Sequence, residues 1–333
     1  MTRAPLALSL GDPAGVGPEI VAKAWRALCA EGPPFMVVGD VQALAAAPGP
    51  PTPVRAVTGP DEALRVFSGA LPVLDLPLSA PVVAGQPSSA NAPAVIRWIE
   101  TAAGLALSGA VGGVVTAPIA KAPLYAAGFK FPGHTEFLAE LTAAGRHDGA
   151  QGPVMMLTAA DLRVALVTIH EALADVPRLL SVEKIVNAGL VTAQALKRDF
   201  GIEAPRLAVA GLNPHAGESG SIGREEIEIV EPAVRALREL GVNATGPSPA
   251  DTLFHPEARA RYDAVLCLYH DQALIPVKML DFWGGVNVTL GLSIVRTSPD
   301  HGTGFDIAGR GLARPDSLIA AIRLAAEIAE RRA

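Results

Sequence analysis

Short apolar runs rich in β-branched residues alternate along this chain with stretches of helical periodicity, and no other feature restricts the fold as strongly. "LALSL", "FMVVGD", "GGVVTAP", "LRVALVTIH", "RLAVAGLNPH" and "AVLCLYH" have the length and residue types of strands. The helical patterns begin with "PEIVAKAWRALC", which sets Ile20, Val21, Ala24, Trp25 and Leu28 on one face. They continue with "NAPAVIRWIETAAGLAL", "HTEFLAELTAAG", "VEKIVNAGLVTAQALKRDF", "REEIEIVEPAVRALREL" and "SLIAAIRLAAEIAERR". A strand that returns parallel to its predecessor needs a crossover, usually a helix. The alternation therefore predicts an α/β fold on a mostly parallel sheet. Pro18 and Glu19 suit a first helical turn, Asn91 a helix cap, and Gly241 a left-handed helix stop. "VNVTLGLSIVRTS" divides into two short strands, and the Ala/Pro-rich "ALAAAPGPPTPVRAV" reads as a surface connection.

With 333 residues, 50% of them hydrophobic and 18% charged, the chain can bury the cores of two domains and does not have a disordered composition. Its apolar runs break well before the roughly 20 residues of a bilayer span. The run in "MTRAPLALSLGDPAG" is also short for a secretory leader. Cys29 and Cys267 lie in apolar surroundings and read as reduced, buried thiols of a cytoplasmic protein. A net charge of −6 disfavours nucleic acid as a partner but is compatible with a small anion held by a few local cations.

Three of the strand-like runs end in histidine: His170, His215 and His270. In open α/β sheets ligands bind beyond the carboxyl ends of the strands, so three imidazoles delivered there could hold a divalent ion with an open position. Asp271 and Asp251 are candidates to orient or join them. For a single strand-ending histidine, satisfying nearby backbone groups is the ordinary role; the threefold recurrence favours metal.

A second group of residues suits an anion. "FPGHTEF" places Gly133, His134 and Thr135 at a helix start, where free N–H groups attract negative charge or Thr135 caps the turn. Arg296 in "SIVRTS" suits a phosphate or carboxylate clamp. Lys278 follows His270 closely enough to serve as a base or an anion ligand, and Asn287 adds a polar contact. "GDPAGVGPEI" lacks the third glycine of a Rossmann fingerprint, "HAGESGSIGREE" has no Walker lysine, and no nucleophile elbow occurs.

The stretches "GDPAGVGPEI", "TAPIAKAPLYAAGFKFPGHTEFLAELT", "GLNPHAGESGSIGREE", "HDQALIPVK", "GVNVTLG" and "RTSPDHGTGFDIAG" together resemble the bacterial 4-hydroxythreonine-4-phosphate dehydrogenases of pyridoxal phosphate biosynthesis. "HGTGFDIAGRG" also resembles the nucleotide-binding segment of isocitrate and isopropylmalate dehydrogenases. The resemblance implies their two-domain, non-Rossmann α/β/α fold, with the active site in the interdomain cleft and at a dimer interface. It implies a first domain of residues 1–130 and 285–333, and a second of 131–284 that carries the metal ligands and the dimer contacts. It further implies that His170, His215 and His270 bind Zn, Mg or Co, and that His134, Thr135, Lys278, Asn287 and Arg296 bind substrate. His301, Gly302 and Asp306 would lie near the adenosine of NAD or NADP.

Some positions depart from the family pattern: Glu171 follows a ligand, Trp283 stands in "DFWGGVN", and Ser293 and Ile294 replace a usual Pro-Phe. The implied activity is metal-assisted oxidation of 4-phosphooxy-L-threonine in a homodimer, with Lys278 as the base, followed by decarboxylation. The alternatives are oxidation of phosphothreonate or phosphoerythronate, or a metal-dependent hydrolase or lyase that leaves "DHGTGFDIAG" without a task.

Overall fold

The structure, a computed structural model, describes residues 4–333. Its strands are β1 (Leu6–Ser9), β2 (Phe35–Gly39), β3 (Val54–Val57), β4 (Leu71–Asp75), β5 (Val114–Thr116) and β6 (Val154–Ala159). They continue with β7 (Leu162–Leu166), β8 (Arg206–Ala210), β9 (Asn243–Ser248), β10 (Ala264–Cys267), β11 (Val286–Leu290) and β12 (Arg296–Pro299). The chain divides into two compact units. The first holds the described residues up to Arg146 with Leu292–Arg331 and Ala333; the second holds His147–Gly291 with Arg332. The division falls after the His134–Thr142 helix, so His134 and Thr135 belong to the first unit and not, as the resemblance implied, to the second. A hydrogen bond from the Ser293 hydroxyl to Thr142 O (2.9 Å) ties the end of that helix to the returning chain of the first unit.

In the first unit the strand order is β3-β4-β2-β1-β5-β12, and every pair is parallel. The Gly17–Leu28 helix buries the face read from its spacing, Ile20, Val21, Ala24, Trp25 and Leu28. Trp25 Nε1 donates to Phe67 O (2.9 Å), which satisfies the polar atom that burial of an indole carries. Glu19 does more than complement the helix end. It is buried, and its carboxylate accepts from Lys23 Nζ (2.6 Å) and from Ala313 N (2.8 Å).

Two expectations change here. Asn91 has helical backbone angles and no capping bond; its amide exchanges hydrogen bonds with Ala80 instead, accepting from N (3.0 Å) and donating to O (3.1 Å). The surface connection contains the edge strand β3, parallel to β4 and sealed by the buried Val57.

The second unit has the order β11-β6-β7-β10-β8-β9. β7, β10, β8 and β9 run parallel, while β6 is antiparallel to both β7 and β11. β6 and β7 form a hairpin closed at Ala160 and Asp161, with Ala160 at φ 50°. The core between sheet and helices includes Leu157, Leu162, Val164, Val265, Cys267 and Val277. Burial pushes the Cys267 thiol far up, which suits an inert core cysteine. Cys29 is half-buried, not buried as expected. Gly241 stops its helix at φ 84°, the left-handed stop expected of it. No helix of the described residues is long and apolar enough to cross a membrane.

Candidate active site

β10 lies between β7 and β8, and the three are parallel, so their carboxyl ends share one edge of the second unit. Each candidate histidine follows one of these strands, and none sits on the strand itself. His170 comes after Val167–Ile169, beyond β7; His215 lies in the Pro214–Gly220 turn beyond β8; His270 opens the His270–Leu280 helix beyond β10. Side chains knit the three strand ends together. The Thr168 hydroxyl donates to Leu268 O (2.6 Å), Gln272 Oε1 accepts from Leu268 N (2.7 Å), and Gln272 Nε2 donates to Gly211 O (2.7 Å). The sequence reading missed Gln272, a buried amide two residues after a presumed ligand.

The His170 and His270 rings have centroids 5.7 Å apart at an interplanar angle of 41°. Two imidazoles sharing one tetrahedral ion, with bonds of about 2.1 Å, have centroids about 5 Å apart, so this pair fits a common ion. His270 Nδ1 lies 2.7 Å from Asp271 Oδ1, which fixes the ring and leaves Nε2 for a ligand. Asp251, the other orienting candidate, is exposed in the Ala250–Thr252 turn. Among the described residues, no three His, Cys, Asp or Glu side chains are grouped to hold a metal. The single chain thus brings together two of the three imidazoles.

His215 begins an unusual segment. His215, Ala216, Gly217, Glu218 and Ser219 have φ of 53°, 51°, 79°, 43° and 56°. Left-handed backbone costs an L-residue roughly 1–2 kcal/mol, and four of these five carry a β-carbon. Such strain persists only where surrounding contacts impose it. The buried Glu226 supplies some of them: Oε1 accepts from Leu212 N and Asn213 N, both at 2.7 Å, and Oε2 accepts from Asn213 Nδ2 (2.9 Å). Sequence reading placed Glu226 among the acids of an ordinary helix. The glycines at 217, 220 and 223 were the available signal that the preceding loop is bent.

In the first unit the His134–Thr142 helix starts after Gly133, whose backbone is extended and offers no side-chain cap. Thr135 is inside the helix and does not cap it. His134 Nε2 is buried without a hydrogen-bond partner, and burial and then the Arg296 charge hold the imidazole well below its ordinary pKa. It is a neutral ring. Arg296 is buried on β12, where its Nη2 donates to Thr116 Oγ1 (2.8 Å). Burial lowers its guanidinium to about 10, opposed by the Glu136 carboxylate, so it stays charged at neutral pH. A buried cation, an orphaned imidazole nitrogen and an uncapped helix start suit an anionic group. Lys121, not singled out in sequence, has its Nζ 3.8 Å from where a β-carbon on Gly133 would stand.

The remaining candidates lie on separate elements. Lys278 is on the His270–Leu280 helix, its Nζ 5.2 Å from the Phe282 ring centroid. Asn287 on β11 has a buried Oδ1 without a hydrogen-bond partner. Glu171 and Trp283 are exposed. In the first unit, the "GDPAGVG" turn packs on the "HGTGFDIAG" loop: Val16 N donates to Thr303 O (2.8 Å), and a β-carbon on Gly15 would come within 2.7 Å of that oxygen. His301, Gly302 and Asp306 on this loop are exposed, with His301 Nδ1 2.9 Å from Gly302 O. Small residues and an exposed carboxylate suit the ribose hydroxyls of a nucleotide. Asp12 in the turn is buried, which raises its pKa, while Ala14 N donates to it.

In the second unit, parallel strands are followed by imidazoles; in the first, a buried guanidinium and an uncapped helix start suit an anion; each is a feature of α/β enzymes. The sequence profile of the family described as pyridoxal phosphate biosynthetic protein PdxA matches residues 31–325. The chain belongs to that family. It is 74% identical over 332 residues to the 4-hydroxythreonine-4-phosphate dehydrogenase of Caulobacter vibrioides, covering 100% of this chain and 99% of that one. Among solved structures, the 4-hydroxythreonine-4-phosphate dehydrogenase of Klebsiella pneumoniae superposes with a TM-score of 0.87 at 41% identity, covering 98% of each chain. A terephthalate 1,2-cis-dihydrodiol dehydrogenase from Burkholderia xenovorans superposes with a TM-score of 0.64 at 32% identity, again over 98% of each chain.

Proposed function

We propose that this oxidoreductase converts 4-phosphooxy-L-threonine to 2-amino-3-oxo-4-phosphooxybutanoate in pyridoxal phosphate biosynthesis, using a nicotinamide dinucleotide and a divalent metal ion. The observation that carries the reading is the full-length likeness to dehydrogenases named for that substrate. His170, His215 and His270 would hold the metal; the close His170–His270 pair and the Asp271 contact support this. When bound, the ion supplies Lewis acidity that lowers the pKa of the substrate hydroxyl, and the nicotinamide supplies the hydride acceptor.

The chain's own residues bind, orient and move a proton. Arg296, His134 and Thr135 hold the phosphate or carboxylate; the buried charge of Arg296 and the unpartnered His134 Nε2 support that role. Lys278, or a water it holds, takes the proton from the C3 hydroxyl as the C3 hydrogen leaves as hydride. Asn287 contributes its buried Oδ1 to a donor on the substrate. His301, Gly302 and Asp306 contact the adenosine. The β-keto acid product then loses CO₂ to give 3-amino-2-oxopropyl phosphate.

The working form is a homodimer. Ile275, Met279, Phe282 and Trp283 are exposed on or just after the helix that carries His270 and Lys278, and a second copy would cover them. Association would also complete a metal site for which one chain groups only two imidazoles.

The test compares 4-phosphooxy-L-threonine with the same molecule lacking phosphate, and with phosphothreonate and phosphoerythronate. A kcat/KM highest for 4-phosphooxy-L-threonine supports the reading. A higher value for either acid transfers the assignment to it.

A further inference from the structure

We infer that Glu226 is the positioning residue of His215; the inference rests on the metal reading above. His215 cannot hold its place through regular secondary structure, because it starts a left-handed run of five residues rather than extending β8 or a helix. Against the run sits a buried carboxylate, whose hydrogen bonds fix the two residues that lead into it. Glu226 is 1% exposed. One oxygen accepts both successive backbone N–H groups that lead into the turn, those of Leu212 and Asn213. The other accepts from the Asn213 side chain and sits against Gly217, where an added β-carbon would come within 2.6 Å of it. A β-carbon on Gly211 would stand 3.4 Å from Oε1 and 3.0 Å from Ala216, so the turn closes tightly around the carboxylate.

Two further details point the same way. Glu226 opens a π-helical turn, Glu226–Val230, a rare irregularity that shifts a side chain's direction and recurs at functional sites. Glu225, the preceding residue, accepts from the same Asn213 amide (2.7 Å), so Asn213 is gripped from two sides. Glu226 itself never reaches the ion in this scheme. It fixes the backbone from which the imidazole projects, as outer-shell groups do for metal ligands generally.

The experiment is a Co²⁺ titration of the metal-free, full-length protein, read by visible absorbance and by the metal-induced rise in Tm, without substrate or cofactor. Glu226→Ala should weaken Co²⁺ binding by about 10- to 100-fold. Glu226→Gln keeps one oxygen for the two backbone N–H groups but turns a donor toward Asn213 Nδ2, so it should recover part of the Co²⁺ binding that Glu226→Ala loses. A purely structural role would lower Tm equally with and without Co²⁺; a positioning role also shrinks the rise that Co²⁺ produces. His215→Ala serves as the reference. If His215→Ala loses Co²⁺ while Glu226→Ala binds it like the unmodified protein, the positioning role is wrong. If His215→Ala itself binds normally, the metal assignment fails first, and this inference with it. Should Glu226→Ala not fold, Glu226→Asp, whose carboxylate recedes by one methylene, decides by the same criterion.

Discussion

The rings of His170 and His270 lie 5.7 Å apart, centroid to centroid, although one follows β7 and the other opens the helix after β10. The pairing of β7 with β10 brings them together. If the pair holds a metal, replacing either with alanine should abolish Co²⁺ binding, measured by titration of the metal-free protein. Asp271→Asn keeps the side-chain shape but removes the charge facing His270 Nδ1, and should cost about 10- to 100-fold in affinity. Unchanged affinity in all three variants would remove these histidines from the metal site.

Arg296 presents a charge in a buried place. An arginine that bonds an anion there contributes about 1.5–3 kcal/mol through each charged hydrogen bond. Arg296→Lys keeps the charge but not the planar fork, and should lower kcat/KM for the phosphorylated substrate by about tenfold or more. A steady-state comparison of the two proteins, with circular dichroism to confirm folding, checks this.

His134 gives a pH effect whose sign is fixed. Its folded pKa lies below the ordinary 6.5 because burial, and then Arg296, disfavour the imidazolium. Above about pH 7 the ring is neutral whether folded or unfolded, and its contribution to stability is complete. As the pH falls through 6.5 the unfolded chain takes up the proton first, so stability is lost toward the folded pKa. His134→Asn should therefore lose less Tm than the unmodified protein between about pH 7.5 and pH 5.5. Parallel melting curves for the two would contradict the assignment of a buried neutral ring.

Glu19 joins Lys23 and Ala313 N from a nearly fully buried position, and Lys23 Nζ also donates to Gly311 O (2.9 Å) and Ala313 O (2.6 Å). Removing one member leaves the other charge only partly compensated. Glu19→Ala leaves Lys23 part-exposed with its two carbonyl acceptors and should destabilise the protein by about 1–3 kcal/mol in denaturant unfolding, whereas a purely exposed pair would cost under about 1 kcal/mol.

Much of this architecture was legible because it rests on periodicity. The buried face of the first helix, the two short strands in "VNVTLGLSIVRTS" and the histidines following β7, β8 and β10 all come from local residue order. β6 escaped notice because "VMMLT" sets two methionines and a leucine between its β-branched Val154 and Thr158, a weaker strand signal than a β-branched run; its pairing with β7 and β11 supplies what propensity does not. The helix beginning at His270 was hidden by Pro276 in its interior. Glu226 and Gln272 were out of reach for another reason. Their roles depend on backbone atoms of other strand ends, and no spacing rule in the chain records those contacts.

The most direct test of the central claim is nicotinamide absorbance in a mixture of the purified protein, NAD and 4-phosphooxy-L-threonine, before chelation, after it, and on return of a divalent ion. NADH should form, stop forming when the metal is removed, and form again when the metal is restored. No NADH from folded, metal-loaded protein, with phosphothreonate and phosphoerythronate equally silent, would contradict the dehydrogenase account and leave a metal-dependent hydrolase or lyase as the better description.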